Sequence, residues 1–299
     1  MDLSIIIVSF NTKKITSTCL NKLKKNFENY PLSYEIIVVD NGSFDGSKDL
    51  LFKLKKNWSQ LKVISSNKNL GFAKANNLGL RQAKGKYILF LNSDVYVDDV
   101  DFLDLIRLME YDKLIGALTV KIILKNGLLD KACHRGFPSL WRSFCYFLGL
   151  ENIMAKVPIL NKVFGGYHLI HQLRDEIHEV EAISGAFFFT RNNLIKKIGG
   201  FDEDYFMYGE DIDLCFKIKR LGYRILYYPL WEVRHLKYSS GLKNKYTKKL
   251  QSKTHYHFYH AMKIFYQKHY RQSYPQFFNQ LVFVFINLLK KLNNEKNRY

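Results

Sequence analysis

In the first 125 residues, four short apolar runs alternate with more polar stretches of helical length. The runs are LSIIIVSF, YEIIVVD, LKVISS and KYILFLN. They are rich in β-branched residues and almost continuously apolar, which is typical of parallel strands buried on both faces. The stretches between them, at 13–27, 45–57 and 72–84, predict helices. This order predicts an α/β fold with a mostly parallel sheet and right-handed crossovers.

Polar residues follow each of these predicted strands. Ligands of such sheets bind beyond the carboxyl ends of the strands, so these residues are candidates for a binding site. They comprise Asn11, Asp40, Asn76, Asn92, Ser93 and Asp94, and the aromatic Phe10 and the turn glycines Gly42 and Gly71 lie among them. An ordinary turn, with Ser43, Asp45 and Ser47 able to cap the next helix, explains the stretch after the second strand equally well.

Three acids open a later helical pattern, FMYGEDIDLCFKIKRLG at 206–222. Glu210, Asp211 and Asp213 suit the positive end of a helix dipole, so capping is one explanation. The other explanation is that one of these carboxylates accepts a proton during catalysis. The two roles are compatible with each other.

The remaining chain divides into an insertion and a tail. Residues 126–180 are irregular and partly helical, and we interpret them as an inserted segment on the acceptor side of a catalytic domain that spans 1–238. Residues 239–299 interleave aromatic and basic residues and end in an amphipathic stretch, which predicts a helical appendage. This tail is either packed on the domain or lies at a membrane interface.

Composition narrows the classes of partner. Lys and Arg number 46 against 27 Asp and Glu, which gives a net charge of +19 and favours a polyanionic partner. The four cysteines are scattered, as expected for reduced thiols in a cytosolic protein. The N-terminus has no signal-peptide pattern, and no apolar run reaches the ~20 residues of a spanning helix.

Seven motifs occur in order and together resemble family 2 glycosyltransferases of the GT-A fold, in particular the rhamnosyltransferase-like branch. They are SIIIVSFN, YEIIVVDNGSFDGS, NLGFAKANNLGL, YILFLNSDV, ISGAFFFTR, GGFDEDYFMYGEDIDLCFKIKRLGYRI and VRH. The resemblance covers about residues 3–240. It implies a Rossmann-like sheet flanked by helices, with the tail as a C-terminal helical appendage.

The resemblance also implies an activity. Such enzymes transfer a sugar, here with rhamnose as the candidate, from a UDP- or dTDP-linked donor to an acceptor hydroxyl with inversion. The acceptor is a glycan or a polyprenyl-linked sugar in surface polysaccharide synthesis, at the cytoplasmic face of the membrane. A polyprenyl-linked acceptor would give a membrane-associated tail a use.

Site residues follow from the same resemblance. The family binds Mg²⁺ or Mn²⁺ through a D-x-D motif, of which this chain keeps only the second acid, Asp94. His235 matches a further metal ligand, with a capped or surface histidine as the alternative. Asp211 matches the catalytic base, with Glu210 second, and Asp213 is assigned to the acceptor or to capping.

The nucleotide site is implied in the same way. Phe10, Asn11, Asp40 and Gly42 correspond to the turns that hold the base and ribose. Gly71 and Asn76 would line the diphosphate pocket, and Asn92 and Ser93 would contact the ribose or the metal shell.

Two other classes fit less well. A nucleotidyltransferase that makes sugar nucleotides expects a glycine-rich turn after the first strand, where this chain has SFNTKK. A basic module that binds membranes or nucleic acid would explain the charge but not the polar strand ends, so nucleic acid is the disfavoured partner.

Overall fold

A computed structural model describes residues 1–28, 30–237 and 248–296, and the side chains of the last segment from 254 to 291. The predicted boundary between domain and tail, at 238 and 239, lies outside the described residues.

The first half of the chain forms the predicted alternation of strands and helices. Its elements are β1 (Leu3–Ser9), α1 (Lys13–Asn26), β2 (Tyr34–Asp40), α2 (Ser47–Lys56), β3 (Leu61–Ser65), α3 (Phe72–Gln82), β4 (Tyr87–Asn92), β5 (Val95–Tyr96) and α4 (Phe102–Tyr111). Successive residues of β1, such as Ile5, Ile6 and Ile7, are all buried, so both faces of the sheet are covered.

The second half completes the sheet and adds the insertion and the tail. Its elements are β6 (Ile115–Leu124), α5 (Leu140–Phe147), α6 (Leu150–Met154), α7 (Pro158–Phe164), β7 (His178–Val180), β8 (Phe187–Arg191), α8 (Asn192–Ile198), α9 (Glu210–Arg220), β9 (Arg224–His235), α10 (Lys248–His269) and α11 (Gln276–Lys296). The insertion therefore contributes three short helices and strand β7.

Within the described residues, one nine-stranded sheet has the order β3-β2-β1-β4-β8-β6-β9-β5, with β7 also paired to β9. Strands β1, β2, β3 and β4 are mutually parallel, and β6 and β9 run in the same direction because β8 is antiparallel to both β4 and β6. The prediction of an α/β fold with a mostly parallel sheet is confirmed. β8, β5 and β7 run in the opposite direction.

Strand β9 is longer than its sequence pattern suggests. The pattern YRILYYP ends at Pro229, but the strand continues to His235. Its pairing with β6 shifts between Tyr228 and Glu232, so the proline lies in a bulge where no ladder hydrogen bond is required of it. The continuation carries His235 to the edge of β5, where it pairs with Val95.

Helix α9 begins where the acid cluster predicts it. Gly209 precedes it with φ of 81°, a left-handed conformation that favours glycine. The three acids lie in its first turn, and Lys217, Lys219 and Arg220 lie in its last turn. Both charge groups suit the helix dipole.

The tail packs on the domain through α10. Tyr259, Phe265 and Tyr266 of this helix are buried, and Phe265 contacts Phe216 of α9. The packed-helix interpretation of the tail therefore holds for α10. Helix α11 folds back on α10 and leaves one apolar side exposed. Of the helices described, none is both long and apolar enough to cross a membrane.

Candidate active site

The turns after β1 and β2 are joined by hydrogen bonds. The backbone N–H of Asn11 donates to Ser43 Oγ at 2.9 Å, and Asn11 Oδ1 accepts from the backbone N–H of Phe44 at 2.9 Å. Phe10 lies on this rim, partly exposed, with its ring edge-on to that of Phe44 at 6.4 Å. The two predicted base-binding turns therefore form one surface.

Two glycines in the turns after β2 and β3 lie so close to other backbone segments that a side chain would not fit there. Gly42 has φ of 82°, and a Cβ there would lie 2.6 Å from the backbone of Lys68. Gly71 has φ of 86°, and a Cβ there would lie 2.6 Å from the carbonyl oxygen of Phe206. Both glycines are needed for the geometry of the rim. Asn41 links the two turns by donating to the Gly71 carbonyl at 3.3 Å.

The end of β4 lies between the nucleotide rim and the start of α9. Ser93 Oγ is 3.5 Å from Thr12 Oγ1, next to the first turn. The N–H of Asn92 donates to the Ala186 carbonyl at 3.0 Å. The preceding residue, Gly185, donates its N–H to Asp211 at 3.3 Å. The strand ends and the acid cluster therefore share one site.

Asp94 and His235 form a buried pair at this site. His235 Nε2 lies 3.3 Å from Asp94 Oδ1, while its Nδ1 lies 3.0 Å from Asp130. Lys237 also contacts Asp130, at 2.9 Å. Burial alone would lower the pKa of His235, but hydrogen bonds with Asp130 and Asp94 raise it to about 9. Burial would raise the pKa of Asp130, but its bonds with His235 and Lys237 hold that pKa well below its usual value.

This pair suits a divalent cation that is completed by other ligands. Among the described residues, no three His, Cys, Asp or Glu side chains form a complete metal site. Mg²⁺ is commonly held by one or two carboxylates, substrate phosphates and water. Asp94 offers an oxygen, and His235 offers Nε2 once a bound cation displaces the proton on that atom. Asp130 orients the His235 ring, as is usual for metal-bound histidine. The residues present therefore fit a cation shared with a diphosphate.

Asp211 is held by a buried ion pair with Arg135 of the insertion. The Arg135 guanidinium donates to Asp211 Oδ2 at 2.8 Å and to the Ile183 carbonyl at 3.3 Å. Asp211 Oδ1 accepts from the N–H of Ile212 at 2.8 Å. The insertion therefore contributes directly to the acid cluster.

Glu210 is in a different environment from Asp211, although the two are adjacent in sequence. Burial, followed by the charge of Asp211, raises the pKa of Glu210 to about 8. The raised pKa favours the protonated form of Glu210, which can donate a hydrogen bond. Arg135 pairs with Asp211, whereas Glu210 Oε2 has no hydrogen-bond partner among the described residues.

Two predicted site residues make internal contacts. Asp213 is 0% exposed and pairs with His269 of α10 and Lys217 of its own helix. Asn76 is buried and donates to the Phe72 carbonyl within α3 at 3.0 Å. The acceptor role of Asp213 and the diphosphate role of Asn76 stay predictions.

Three predicted site residues carry a buried polar atom that has no hydrogen-bond partner among the described residues. These atoms are Asp40 Oδ1, Asn92 Oδ1 and Glu210 Oε2. Such atoms are rare in folded proteins, so each is a candidate contact for a bound group.

Two residues of the site have no sequence signal of their own. Asp130 and Arg135 lie in the irregular insertion, and only the folded structure brings them to His235 and Asp211. A single arginine or aspartate in a segment without periodicity predicts no partner.

Comparisons with known proteins give consistent matches. The model of Glycosyl transferase family 2 matches residues 4–168, and that of Glycosyl transferase family group 2 matches residues 163–289. Rhamnosyltransferase WbbL of Escherichia coli is 29% identical over 77% of this chain and 82% of that protein. Poly-beta-1,6-N-acetyl-D-glucosamine synthase of Staphylococcus aureus is 27% identical over 76% of this chain. The match spans 48% of the synthase, about half its length.

Solved structures share the fold. S. aureus TarS 1–349 in complex with UDP-GlcNAc aligns with a TM-score of 0.55 and 22% identity, covering 88% of this chain and 66% of that one. GalNAc-T7 with UDP, GalNAc and Mn²⁺ aligns with a TM-score of 0.58 and 17% identity, covering 89% of this chain and 50% of that one. At these identities the likeness establishes the GT-A architecture of the chain.

Proposed function

The chain belongs to glycosyl transferase family 2, and from that premise we propose that it transfers a sugar from a nucleoside diphosphate to an acceptor hydroxyl with inversion. The observation that carries the proposal is the convergence of the Asp94–His235 pair and the Asp211–Arg135 pair on the two strand ends joined by Asn92 and Ala186. A nucleotidyltransferase needs no such base.

The nucleoside is expected at the rim formed by the first two turns. Asp40 offers a buried carboxylate oxygen that has no partner among the described residues, which suits an N–H of a pyrimidine. Phe10 offers an aromatic ring and Asn11 a rigid turn beside it. Gly42 and Gly71 let the turns after β2 and β3 pack against neighbouring backbone, and the diphosphate is expected beside these turns.

Asp94 and His235 would hold a Mg²⁺ or Mn²⁺ ion, and Asn92 would contact its shell or the ribose. When bound, such an ion neutralises the charge that develops on the leaving diphosphate. Asp130 keeps the His235 ring oriented through Nδ1. Asp130 is therefore a positioning residue for this pair.

Asp211 is proposed as the general base. The acceptor oxygen attacks the anomeric carbon, its proton passes to Asp211, and the bond from carbon to the diphosphate oxygen breaks. Arg135 holds the Asp211 carboxylate in place at 2.8 Å, which supports this role. Burial raises the pKa of Glu210 to about 8 and so favours its protonated form, and Glu210 is proposed to donate a hydrogen bond to the acceptor.

Substitution of Glu210 by glutamine is expected to remove the part of the fall in melting temperature between pH 5 and pH 8 that comes from Glu210. Glutamine keeps the neutral form at every pH, whereas wild-type Glu210 ionises beside Asp211 above about pH 8. A raised carboxyl pKa means that the stability contribution is present below the unfolded pKa and is lost as pH rises toward the folded pKa. The difference in melting temperature between Glu210→Gln and wild type should therefore widen from pH 5 to pH 8 and then level off.

The matched control for that experiment is Glu232→Gln, an exposed glutamate of β9. The difference in melting temperature between Glu232→Gln and wild type should stay constant with pH. Parallel melting curves for Glu210→Gln and wild type across this range would show that Glu210 is already ionised at neutral pH.

The donor and acceptor are proposed from the relatives. The similarity to an E. coli rhamnosyltransferase supports rhamnose as the candidate sugar, and the UDP complexes of the structural neighbours support a UDP- or dTDP-linked donor. A glycan or lipid-linked acceptor in surface polysaccharide synthesis is consistent with these proteins. A panel of nucleotide sugars, tested by thermal shift with Mg²⁺ or Mn²⁺, identifies the donor because a ligand of the native state raises the melting temperature. No shift with any UDP- or dTDP-linked sugar would contradict the proposal.

Helix α11 is proposed to contact an anionic membrane surface at the cytoplasmic face. Its exposed apolar residues form one stripe at helical spacing: Phe277, Leu281, Val284, Phe285 and Leu288. Phe277 is 66% exposed and Val284 63% exposed. Lys290 and Lys291 follow the stripe, and the chain carries a net charge of +19, which complements anionic lipid.

Replacement of Leu281, Val284 and Leu288 by glutamate is expected to weaken binding to phosphatidylglycerol-containing vesicles by about tenfold or more, because apolar contact is lost and charge repulsion is added. Co-sedimentation measures the effect. The control places three glutamates on other exposed apolar residues, Tyr111, Leu114 and Leu128. Equal losses in both variants would assign the binding to net charge, and unchanged binding of the α11 variant would contradict the proposal.

A further inference from the structure

Helix α10 is joined by a buried polar contact to α9, the helix that carries the acid cluster. His269 Nε2 lies 2.7 Å from Asp213 Oδ1, and Lys217 Nζ lies 2.7 Å from Asp213 Oδ2. Asp213 is completely buried, and the His269 ring packs at 4.2 Å from that of Phe216. Lys217 is on the same helix as Asp213, so His269 is the partner that ties α9 to another element.

The same helix also covers the loop that leads into α9. Lys268 pairs with Asp202 at 2.6 Å and with Asp204 at 2.7 Å. The His257 ring stacks on Phe206 with centroids 4.5 Å apart. The contacts therefore extend along residues 202–213, the segment that ends in the acid cluster.

The start of α9 fits closely against α10. A Cβ on Gly209 would lie 3.2 Å from the Cβ of Ala261, so the two backbones approach to the limit that a glycine and an alanine allow. Phe258 of α10 also contacts the ring of Tyr208, which has φ of 67°. A backbone in that region is held by its surroundings.

This loop reaches the nucleotide side of the site as well. The Phe206 carbonyl accepts from the N–H of Phe72 at 2.7 Å, at the start of α3 and next to Gly71. A continuous series of contacts thus runs from α10 through Phe206 to the diphosphate turn, and from His269 through Asp213 to the turn that carries Asp211.

We propose that His269 is a positioning residue for sugar transfer, which through Asp213 fixes α9 so that Asp211 meets the acceptor hydroxyl. The inference rests on the proposed base role of Asp211. Asp213 is two residues from Asp211 on α9, so a hydrogen bond to its carboxylate sets the rotation and axial position of the helix at the base. Displacement of a catalytic group by about 1 Å can lower the rate by about 10²-fold.

Without this bond, Asp213 keeps Lys217 as a partner on its own helix. Asp213 then no longer fixes α9 against α10. The nucleotide rim is formed by other elements, β1 to β4, and is expected to keep its affinity. The inference therefore separates the two functions: transfer depends on His269, and nucleotide binding does not.

The test compares His269→Ala with His269→Gln, whose Nε2 can occupy the place of the histidine Nε2 and donate to Asp213. Turnover of the donor found in the nucleotide-sugar panel is expected to fall about tenfold to 10²-fold in His269→Ala and to recover largely in His269→Gln. The Kd for UDP with Mn²⁺, measured by calorimetry, should stay within about threefold of wild type in both. His260→Ala, at an exposed position of the same helix, is the matched control and should retain wild-type turnover.

Hydrogen exchange of the 206–216 segment gives a second readout that needs no donor. Exchange there should be faster in His269→Ala than in His269→Gln or His260→Ala, because a lost tertiary bond lowers the free energy of local opening. If His269→Ala does not fold, His269→Asn replaces it, since its amide is too short to reach Asp213.

The inference is overturned if His269→Ala retains turnover, if alanine and glutamine variants are equally impaired, or if exchange of 206–216 is unchanged. These outcomes differ from failure of the proposed function. In that case the wild-type protein transfers no sugar, while the exchange experiment still reports whether His269 holds α9.

Discussion

Replacing Asp211 with asparagine is expected to lower the rate of sugar transfer by about 10²–10⁴-fold, the usual contribution of a general base. Asparagine keeps the shape of the side chain and its oxygen, which can still accept from Arg135 and from the N–H of Gly185. It cannot accept the proton of the acceptor hydroxyl at neutral pH. Donor affinity should stay within a few-fold of wild type.

The measurement must separate catalysis from stability. Asp211→Asn leaves the buried Arg135 guanidinium against a neutral amide, so a fall in melting temperature is expected, and turnover should be measured well below that temperature. Asp101→Asn is the matched control, because Asp101 caps α4 through the N–H groups of Leu103 and Asp104. Asparagine caps about as well as aspartate, so this variant should keep its turnover.

A purely structural role for Asp211 predicts the opposite pattern. The melting temperature would fall while turnover at low temperature stayed near wild type. That result would contradict the assignment of Asp211 as base. Asp211 and Asp213 would then serve to pair with Arg135 and His269 and to stabilise the N-terminus of α9.

Replacing Asp94 with alanine is expected to remove most activity and to abolish the effect of Mg²⁺ or Mn²⁺ on donor binding. Neutralisation of a leaving diphosphate contributes several kcal/mol to the transition state, which corresponds to a loss of roughly 10²-fold or more. The readouts are turnover and the Kd for UDP with and without Mn²⁺. In wild type the cation should strengthen UDP binding, and in Asp94→Ala it should not.

Asp98→Ala is a suitable control because Asp98 lies in the same segment of chain, is about half exposed and pairs with Lys22. It should retain both turnover and the response to Mn²⁺. If Asp94→Ala also keeps the Mn²⁺ response, the cation binds elsewhere or is not used, and the pair formed by Asp94 and His235 is then a structural one.

The first half of the fold is readable from sequence because its signals are local. Strands β1 to β4 are nearly continuous apolar runs. The ends of α1 to α3 lie within about two residues of the predicted ends. The strand ends then bring the polar residues together by topology alone. This is why the sequence predicts that Asn11, Asp40, Gly71 and Asp94 lie at one edge of the sheet.

The second half depends on contacts between distant residues. The pattern of β9 stops at Pro229, and only its partner β6 carries the strand past the bulge to His235. Arg135 and Asp211 are 76 residues apart, and His269 and Asp213 are 56 apart. Neither spacing has a periodic signature, so the sequence predicts the acids but not their partners.

The apolar tail illustrates the same limit in another way. Its composition is consistent both with packing and with a membrane interface. In the structure α10 buries its aromatic residues on α9, while α11 keeps a stripe exposed. The sequence could not divide the tail between these two roles because α10 and α11 both combine apolar residues with basic ones.

The position of β8 has a consequence for the protein during its synthesis. β1 to β4 are neighbours in the sheet and leave the ribosome first, but the free edge of β4 is paired only when β8 follows. The intervening chain is roughly 95 residues long, which corresponds to roughly 5–20 s of translation. During that interval the nascent sheet presents an unpaired edge of the kind that associates with other chains. The turns after β1, β2 and β3 exist at that stage, but Phe206, whose carbonyl accepts from the N–H of Phe72 beside Gly71, follows β8 in the chain. We therefore expect the nucleotide rim to be completed only after the edge of β4 is paired.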